Sequence, residues 1–374
     1  MFVAWRDLRF AKGRFALMGT VIVLITVLVG LLSGLTAGLG RENTSAITSL
    51  PADRLAFAAP AGGGDVSFTD SHVGERTWQA WSRVPGVASA EPLGIATAKA
   101  AAGDGADRRS AALSAFGVRP GSGLAPASGR IADGAAVLSR KAAEELGVRA
   151  GDAFTLNGRR LTAAAVSGEA MYSHTPVVWT SLADWAGAPG GGSGGSGGAG
   201  GSGGGADAAT VVALTTSGGA DVAAADRRLG TRTVTTGEAL RAIGSYTAEN
   251  GSLQLMRGFL FAISALVIGA FFTVWTIQRS GDVAVLKALG ASTRYLLRDA
   301  LGQAVVLLVA GTGLGTALAA AVGAAVGDAV PFVLDPGTVL LPALVMIALG
   351  SFGAALSIRR ITAVDPLTAL GSAR

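Results

Sequence analysis

The chain has no cysteine, only two histidines and three tyrosines, and just 15% charged residues in a length of 374. The missing thiols exclude a disulfide scaffold, a zinc–cysteine centre and a cysteine nucleophile. The shortage of charge excludes an ordinary soluble domain, where roughly 25% of residues are charged. Apolar and small residues fill the chain instead: 50% are hydrophobic, 56 are glycine, and the mean hydropathy is +0.50. This is the composition of a membrane protein.

A hydrocarbon core about 30 Å thick takes roughly 20 apolar residues as helix, so charge-free runs mark the spans. Residues 15–40, 258–278, 300–327 and 336–358 form four such runs. The fold expected is therefore an α-helical membrane protein with four transmembrane helices and a large extracytoplasmic mixed α+β domain between the first and second. In order, the sequence divides into an amphipathic cytoplasmic segment (1–14), the first span (15–40), the external domain (41–252), the second span (253–278), a cytoplasmic coupling segment (279–299), the third span (300–327), a short external loop (328–335), the fourth span (336–358) and a cytoplasmic tail (359–374). The first run follows a basic stretch, as a cleaved signal would. Its 26 residues exceed a signal's apolar region of roughly 7–15, and no A-x-A site follows, so a retained anchor is expected.

Lys and Arg in the short connections set the orientation. The segments expected inside hold 11 bases against Asp7, Asp282, Asp299 and Asp365, whereas residues 41–252 hold 18 bases and 19 acids. Both termini are thus expected in the cytoplasm of a multi-pass plasma-membrane protein. The pI near 10.1 reflects this sorting and not a nucleic-acid surface.

In the external domain, Trp78 to Trp81 reads as a short helix ended by Pro85-Gly86, and 87–98 as a strand. Residues 135–138 read as another strand, after which Ser139 caps a helix, 140–146, that Gly147 closes. Asn157-Gly158 supplies the two left-handed positions of a type I′ hairpin turn. Residues 187–205 contain only Gly, Ser, Ala and Pro and read as a flexible linker. None of the four lysines lies in a Gly-Lys-Ser/Thr context, so no P-loop is present and any ATP hydrolysis belongs to another subunit. Residues 210–214 look like a returning strand, and the helix opening at Thr236 is expected to continue as a stalk into the second span.

Gly30, Gly34 and Gly38 recur every fourth residue in the first span and clear one face for close packing, either within the chain or across a homodimer seam. The four charge-free runs leave a proton or ion relay nothing to use, which argues against an ion-coupled transporter. Residues 282–289 form a short amphipathic helix with Val283, Leu286 and Leu289 on one side, Asp282 near its start, Lys287 near its end and Gly290 as its stop. Such a helix suits either a partner's groove or the bilayer surface.

The pattern of Arg279, Asp282, Leu286, Lys287, Ala288, Leu289, Gly290, Ala291 and Ser292 resembles the coupling segment of FtsX/MacB-type ABC transporter permeases, with Asp282 where a glutamate is usual. The Asp365-Pro366 tail and the layout of one span, a large domain and three spans resemble that family too. Within it, the stretches opening at Arg6, Gly34 and Tyr172 are similar to haem-efflux permeases of the HrtB type. The resemblance covers nearly the whole chain except the glycine-rich insert. It implies a permease homodimer paired with two copies of a cytoplasmic ABC ATPase that carries the ATP and magnesium, no permanently bound cofactor, and haem as the first substrate to consider.

Haem iron accepts His, Met or Tyr as axial ligands. The candidates are His174, Tyr172 and Met171, which fall within four residues, then His72, Tyr246 and Met256. The plainer readings of these residues are surface hydrogen bonding and packing. Two rival functions remain open: a transmembrane signal transmitter acting on an external partner such as a cell-wall hydrolase, and an exporter of lipid, lipoprotein or peptide antibiotic. An ectoenzyme has no residues to support it, since neither histidine has a triad or metal partner at usable spacing.

Overall fold

The computed structural model describes residues 12–187, 208–278, 281, 285, 287, 289–327 and 330–362. The glycine-rich insert beyond Gly187, the tail beyond Thr362 and the basic amino-terminal residues lie outside that description. The chain forms two compact units, one of residues 1–39 and 251–374, the other of residues 40–250.

The first unit consists of long helices. Four are long and apolar enough to cross a membrane. They belong to α1 (Lys12–Thr48), α7 (Gly244–Gln278), α8 (Thr293–Val326) and α9 (Pro336–Thr362), with α2 to α6 in the intervening domain. Each of the first three outruns its apolar stretch. Ser292 accepts from the Tyr295 amide and starts α8 before the charge-free run, so Arg294, Arg298 and Asp299 lie on its opening turns.

Small residues bring these helices together. A Cβ on Gly30 would stand 2.8 Å from the Ala319 methyl, and one on Gly315 would stand 2.6 Å from Thr26. On Gly34 or Gly323 it would run into the Phe332 ring, and on Gly38 into the Pro331 carbonyl. The glycine face of the first span is therefore filled within the chain by α8 and by residues 331–333, with the Val333 amide donating to the Gly34 carbonyl at 3.2 Å. Thr273 and Ser357 hydroxyls meet at 2.8 Å between α7 and α9. Met18, Ile22, Phe272, Leu308 and Met346 are buried at the centre, whereas Leu24, Leu28, Phe259, Leu266 and Phe352 lie on the outside. Apolar residues on both sides are what lipid as a solvent demands.

The second unit is an α+β domain. Its strands are β1 (Arg54–Ala58), β2 (Val73–Gly74), β3 (Val87–Ala102), β4 (Arg109–Val118), β5 (Ala135–Leu138), β6 (Ala153–Leu156), β7 (Arg159–Val166), β8 (Met171–Tyr172), β9 (Thr175–Ser181), β10 (Ala208–Ala209), β11 (Val211–Thr216) and β12 (Thr231–Thr235). Short helices α2 (Glu75–Trp81), α3 (Arg140–Leu146), α4 (Leu182–Ala186), α5 (Val222–Leu229) and α6 (Thr236–Ala239) accompany them. The main sheet runs β12-β1-β11-β3-β4-β9-β5-β7-β6, and β6 pairs again with β3, so the strands from β3 to β6 curl into a closed ring. Pairs β4–β9 and β5–β7 are parallel and the others antiparallel, which makes the sheet mixed.

Alternate residues of each strand enter opposite cores. Val178, Val212 and Leu138 face one cluster with Trp81 and Trp185, while Trp179, Val211 and Val137 face the other with Phe57 and Phe116. A sheet buried on both faces reads as continuous apolar sequence. Gly94 and Gly117 stand opposite each other in register, and a Cβ on either would come within 2.6 Å of Trp185, so together they seat its indole ring.

Locally encoded elements sit where their residues imply. The Ser139 hydroxyl accepts from Ala142 N, and Gly147 ends α3 at φ +68°. Asn157 and Gly158 turn the β6–β7 hairpin at φ +48° and +85°. The stalk expectation needs correction. The helix opening at Thr236 stops after four residues, passes through a 3₁₀ turn, and breaks at Ile243, whose backbone is extended (φ −86°, ψ 108°). Burying the Ile243 side chain, 1% exposed, beside Ala239 and Ala242 outweighs helix continuity there. A new helix, α7, starts at Gly244.

Candidate functional site

The β8–β9 hairpin closes with a two-residue turn, Ser173-His174, because Tyr172 and Thr175 are paired across it. Both turn residues are left-handed, at φ +50° and +62°. That geometry favours Gly or Asn, and other side chains adopt it only when surrounding contacts fix them. The contacts are present. The Ser173 amide donates to the Asn43 carbonyl (3.1 Å) and the His174 amide to the Glu42 carbonyl (3.3 Å).

Side chains extend the cluster. His174 Nε2 lies 3.0 and 2.8 Å from the two Glu249 oxygens and 2.7 Å from Asn43 Nδ2. Asn43 Nδ2 in turn donates to Glu249 Oε2 at 3.0 Å. Ser245 Oγ donates to Asn43 Oδ1 at 2.6 Å and meets Ser173 Oγ at 2.8 Å. His174 Nδ1 faces Glu42 Oε2 at 3.7 Å, and Lys141 Nζ donates to Glu42 Oε1 at 2.7 Å. Burial pushes the nearby Glu145 carboxyl above its usual range, Lys141 opposing and Glu42 adding to the rise. Three elements therefore meet at this point: the end of α1 with Glu42 and Asn43, the β8–β9 turn, and the start of α7 with Ser245 and Glu249.

The three ligand-capable residues of 171–174 do not converge. Met171 is buried, its backbone tied to Ser45 Oγ. Tyr172 packs edge-on to Phe68 and Phe116, and burial pushes its phenol well above the ordinary tyrosine range. Only His174 reaches the polar cluster, and its Nε2 is engaged there. His72 is exposed just before β2. Tyr246 lies half-buried against the core containing Ile243. Met256 is 48% exposed on α7, beside Arg257, whose guanidinium lies 5.8 Å over the Phe261 ring. Among the described residues no group of three or more His, Cys, Asp or Glu forms a metal site.

Of the coupling segment, Arg279, Asp282, Leu286 and Ala288 lie outside the described residues. Gly290 turns left-handed at φ +94° after the Leu289 amide has bonded back to the Val285 carbonyl. Val285 and Leu289, four residues apart, are 55% and 80% exposed and form an apolar pair. Residues missed in the sequence are Glu42, Asn43, Ser245 and Glu249. The signal for them, polar side chains flanking an apolar run, is too common to have singled them out.

Residues 15–232 match the family described as MacB-like periplasmic core domain, and residues 255–366 match FtsX-like permease C-terminal. The chain is 24% identical over 375 residues, 99% of both sequences, to a permease protein of Staphylococcus epidermidis named for a hemin transport system, HrtB. It is 37% identical over 129 residues to the like-named protein of Staphylococcus haemolyticus, covering 34% of this chain and 37% of that one. Among solved structures, the extracellular domain of the ABC-type transporter YknZ from Gram-positive bacteria aligns with 49% of this chain and 98% of its own, at 12% identity and a TM-score of 0.34.

Proposed function

Because the chain belongs to the FtsX/MacB-type ABC transporter permeases, we propose that it is the membrane subunit of an exporter whose cargo is haem. The observation that carries this reading is the end-to-end similarity to the staphylococcal permease named for hemin transport. The subunit would act as a homodimer in the plasma membrane with both termini in the cytoplasm, beside a separate ATPase that binds ATP and magnesium. The exposed pair Val285 and Leu289 supports docking of that ATPase, since an apolar helix face in water calls for a partner's groove. ATP-driven motion would pass from this segment through the spans to the α+β domain, and cargo would leave from the outer leaflet.

Haem suits such a route. Its apolar ring partitions into lipid and its carboxylates stay at the interface. Met171 and Tyr172 belong to the domain core, and Tyr246 packs against it, so His72, Met256 and His174 are the side chains left to contact the iron. His174 would do so only after parting from Glu249.

The test is a visible absorption titration of the detergent-solubilised protein with haemin, beside His72→Ala, Met256→Ala and His174→Ala variants. A saturable Soret shift in the wild type, weakened in one variant, is expected. Absence of any saturable shift would remove haem and leave signal transmission or lipid and peptide cargo for the same permease.

A further inference from the structure

We propose that the Ser173-His174 turn is a latch that fastens the end of α1 to the start of α7, so that the two helices move as one when the ATPase works. The proposal rests on the ATP-driven permease reading above, and assigns His174 a positioning role within it. Both helices continue from this cluster into the apolar unit.

The contacts have the character of a fastening that opens. His174 bonds Glu249 on α7 and its amide bonds Glu42 on α1, while Asn43 and Ser245 join the two helices directly. The side chains of Glu42, His174 and Glu249 remain 21%, 30% and 43% exposed, so water can replace each partner. Exposed polar pairs part at small cost, unlike the dry apolar contacts of Ile47 and Ile243 alongside. The charged groups facing the histidine are Glu42 and Glu249, with Lys141 and Glu145 behind Glu42.

A pivot lies next to the latch. The extended backbone at Ile243 separates α7 from the 3₁₀ turn before it, and the Ile243 side chain is anchored in the core. With the cluster intact, Ser245 and Glu249 hold the opening turns of α7 against Asn43. With it broken, the Thr247 hydroxyl on the Arg241 carbonyl (2.8 Å) and the Tyr246 packing still hold the first turn of α7, and α7 swings more widely about Ile243. The left-handed backbone at two non-glycine residues fits this assignment, because such strain persists only where neighbouring groups over-determine it.

The chain has no cysteine, so paired spin labels at Arg41→Cys and Ala248→Cys, both exposed, report the spacing of the two helix ends in the full-length protein. A single narrow distance distribution is expected with the latch intact. His174→Ala should broaden it, and so should Ser245→Ala, which leaves the histidine in place and guards against a folding failure of the first variant. In proteoliposomes with the ATPase, Ser245→Ala, which touches no candidate iron contact, should lower haemin moved per ATP by about twofold to fivefold, the effect of one exposed polar pair, while ATP hydrolysis stays at the parent value and the melting temperature moves little. A merely structural cluster would leave that ratio unchanged. Unchanged distances in both variants overturn the latch, whether or not haemin is exported. Broadened distances in a protein that never moves haemin uphold the latch and reject the cargo.

Discussion

Gly38→Ala tests the packing of the first span. The new methyl would overlap the Pro331 carbonyl and come within 3.0 Å of the Phe332 nitrogen. Both are backbone atoms, so no side chain can rotate aside; residues 331–333 must lift away from α1. Lifting them breaks the Val333 to Gly34 hydrogen bond and withdraws the Phe332 ring from between Gly34 and Gly323. Overpacking of this kind costs about 2 kcal/mol, within the usual range, and raises the lifted population roughly 30-fold. The Val333 amide, bonded to the Gly34 carbonyl, reports that population through its rate of hydrogen exchange, since exchange of a transiently opened amide follows the opening equilibrium. The rate should rise about 30-fold with Gly38→Ala. It should not move with Gly40→Ala, where a Cβ meets nothing within 4 Å. A Gly38→Ala rate within about twofold of the parent would refute the close approach and, with it, the need for glycine at that position.

Further expectations concern the domain and the coupling segment. Asp184, 2% exposed, accepts from the Gly134 amide at 2.7 Å and pairs with Arg159 at 2.7 Å. Asp184→Ala should cost about 2 kcal/mol, the penalty of an orphaned amide, read as a lowered melting temperature; Arg159 is half exposed and rehydrates, so a much larger loss would contradict this accounting. Tyr172 is held neutral by burial, so its phenol ionises at higher pH in the folded domain than in the unfolded chain. Its contribution is complete below the unfolded value of roughly 10 and is lost as pH rises beyond it, so Tyr172→Phe should leave neutral-pH stability almost unchanged and flatten the alkaline limb. An identical alkaline limb in the variant would dispose of that assignment. Leu286→Asp adds a charge to the segment read from the sequence as the coupling helix and should abolish stimulation of the ATPase while the protein still inserts; wild-type stimulation would contradict docking through this segment.

What could be read from the sequence was local. Ser139 with Gly147, and Asn157 with Gly158, encode a capped helix and a hairpin turn within a few residues, and both formed in place. Strands β4 and β9 gave no alternation because Phe116, Trp179 and their neighbours Ala115 and Val178 are buried on both faces. The facing glycines Gly94 and Gly117 acquire meaning only once β3 and β4 pair and Trp185 lands on them. The break at Ile243 likewise depends on a core that the local sequence does not display. The polar cluster was the least legible feature, since its bonds join residues 131 and 206 positions apart. Met171, Tyr172 and His174 suggested one ligand set by proximity, but the hairpin sends the first two into the core and leaves the histidine in the turn.

The central claim is that this permease moves haem when a partner ATPase hydrolyses ATP. Its most direct test is ATP-dependent movement of haemin across proteoliposomes that contain the wild-type chain and its ATPase, measured beside the Leu286→Asp variant. Vectorial haemin movement that requires ATP, and that the variant loses while remaining inserted, is the predicted result. ATP hydrolysis stimulated by the wild-type chain with no movement of haemin would contradict the claim.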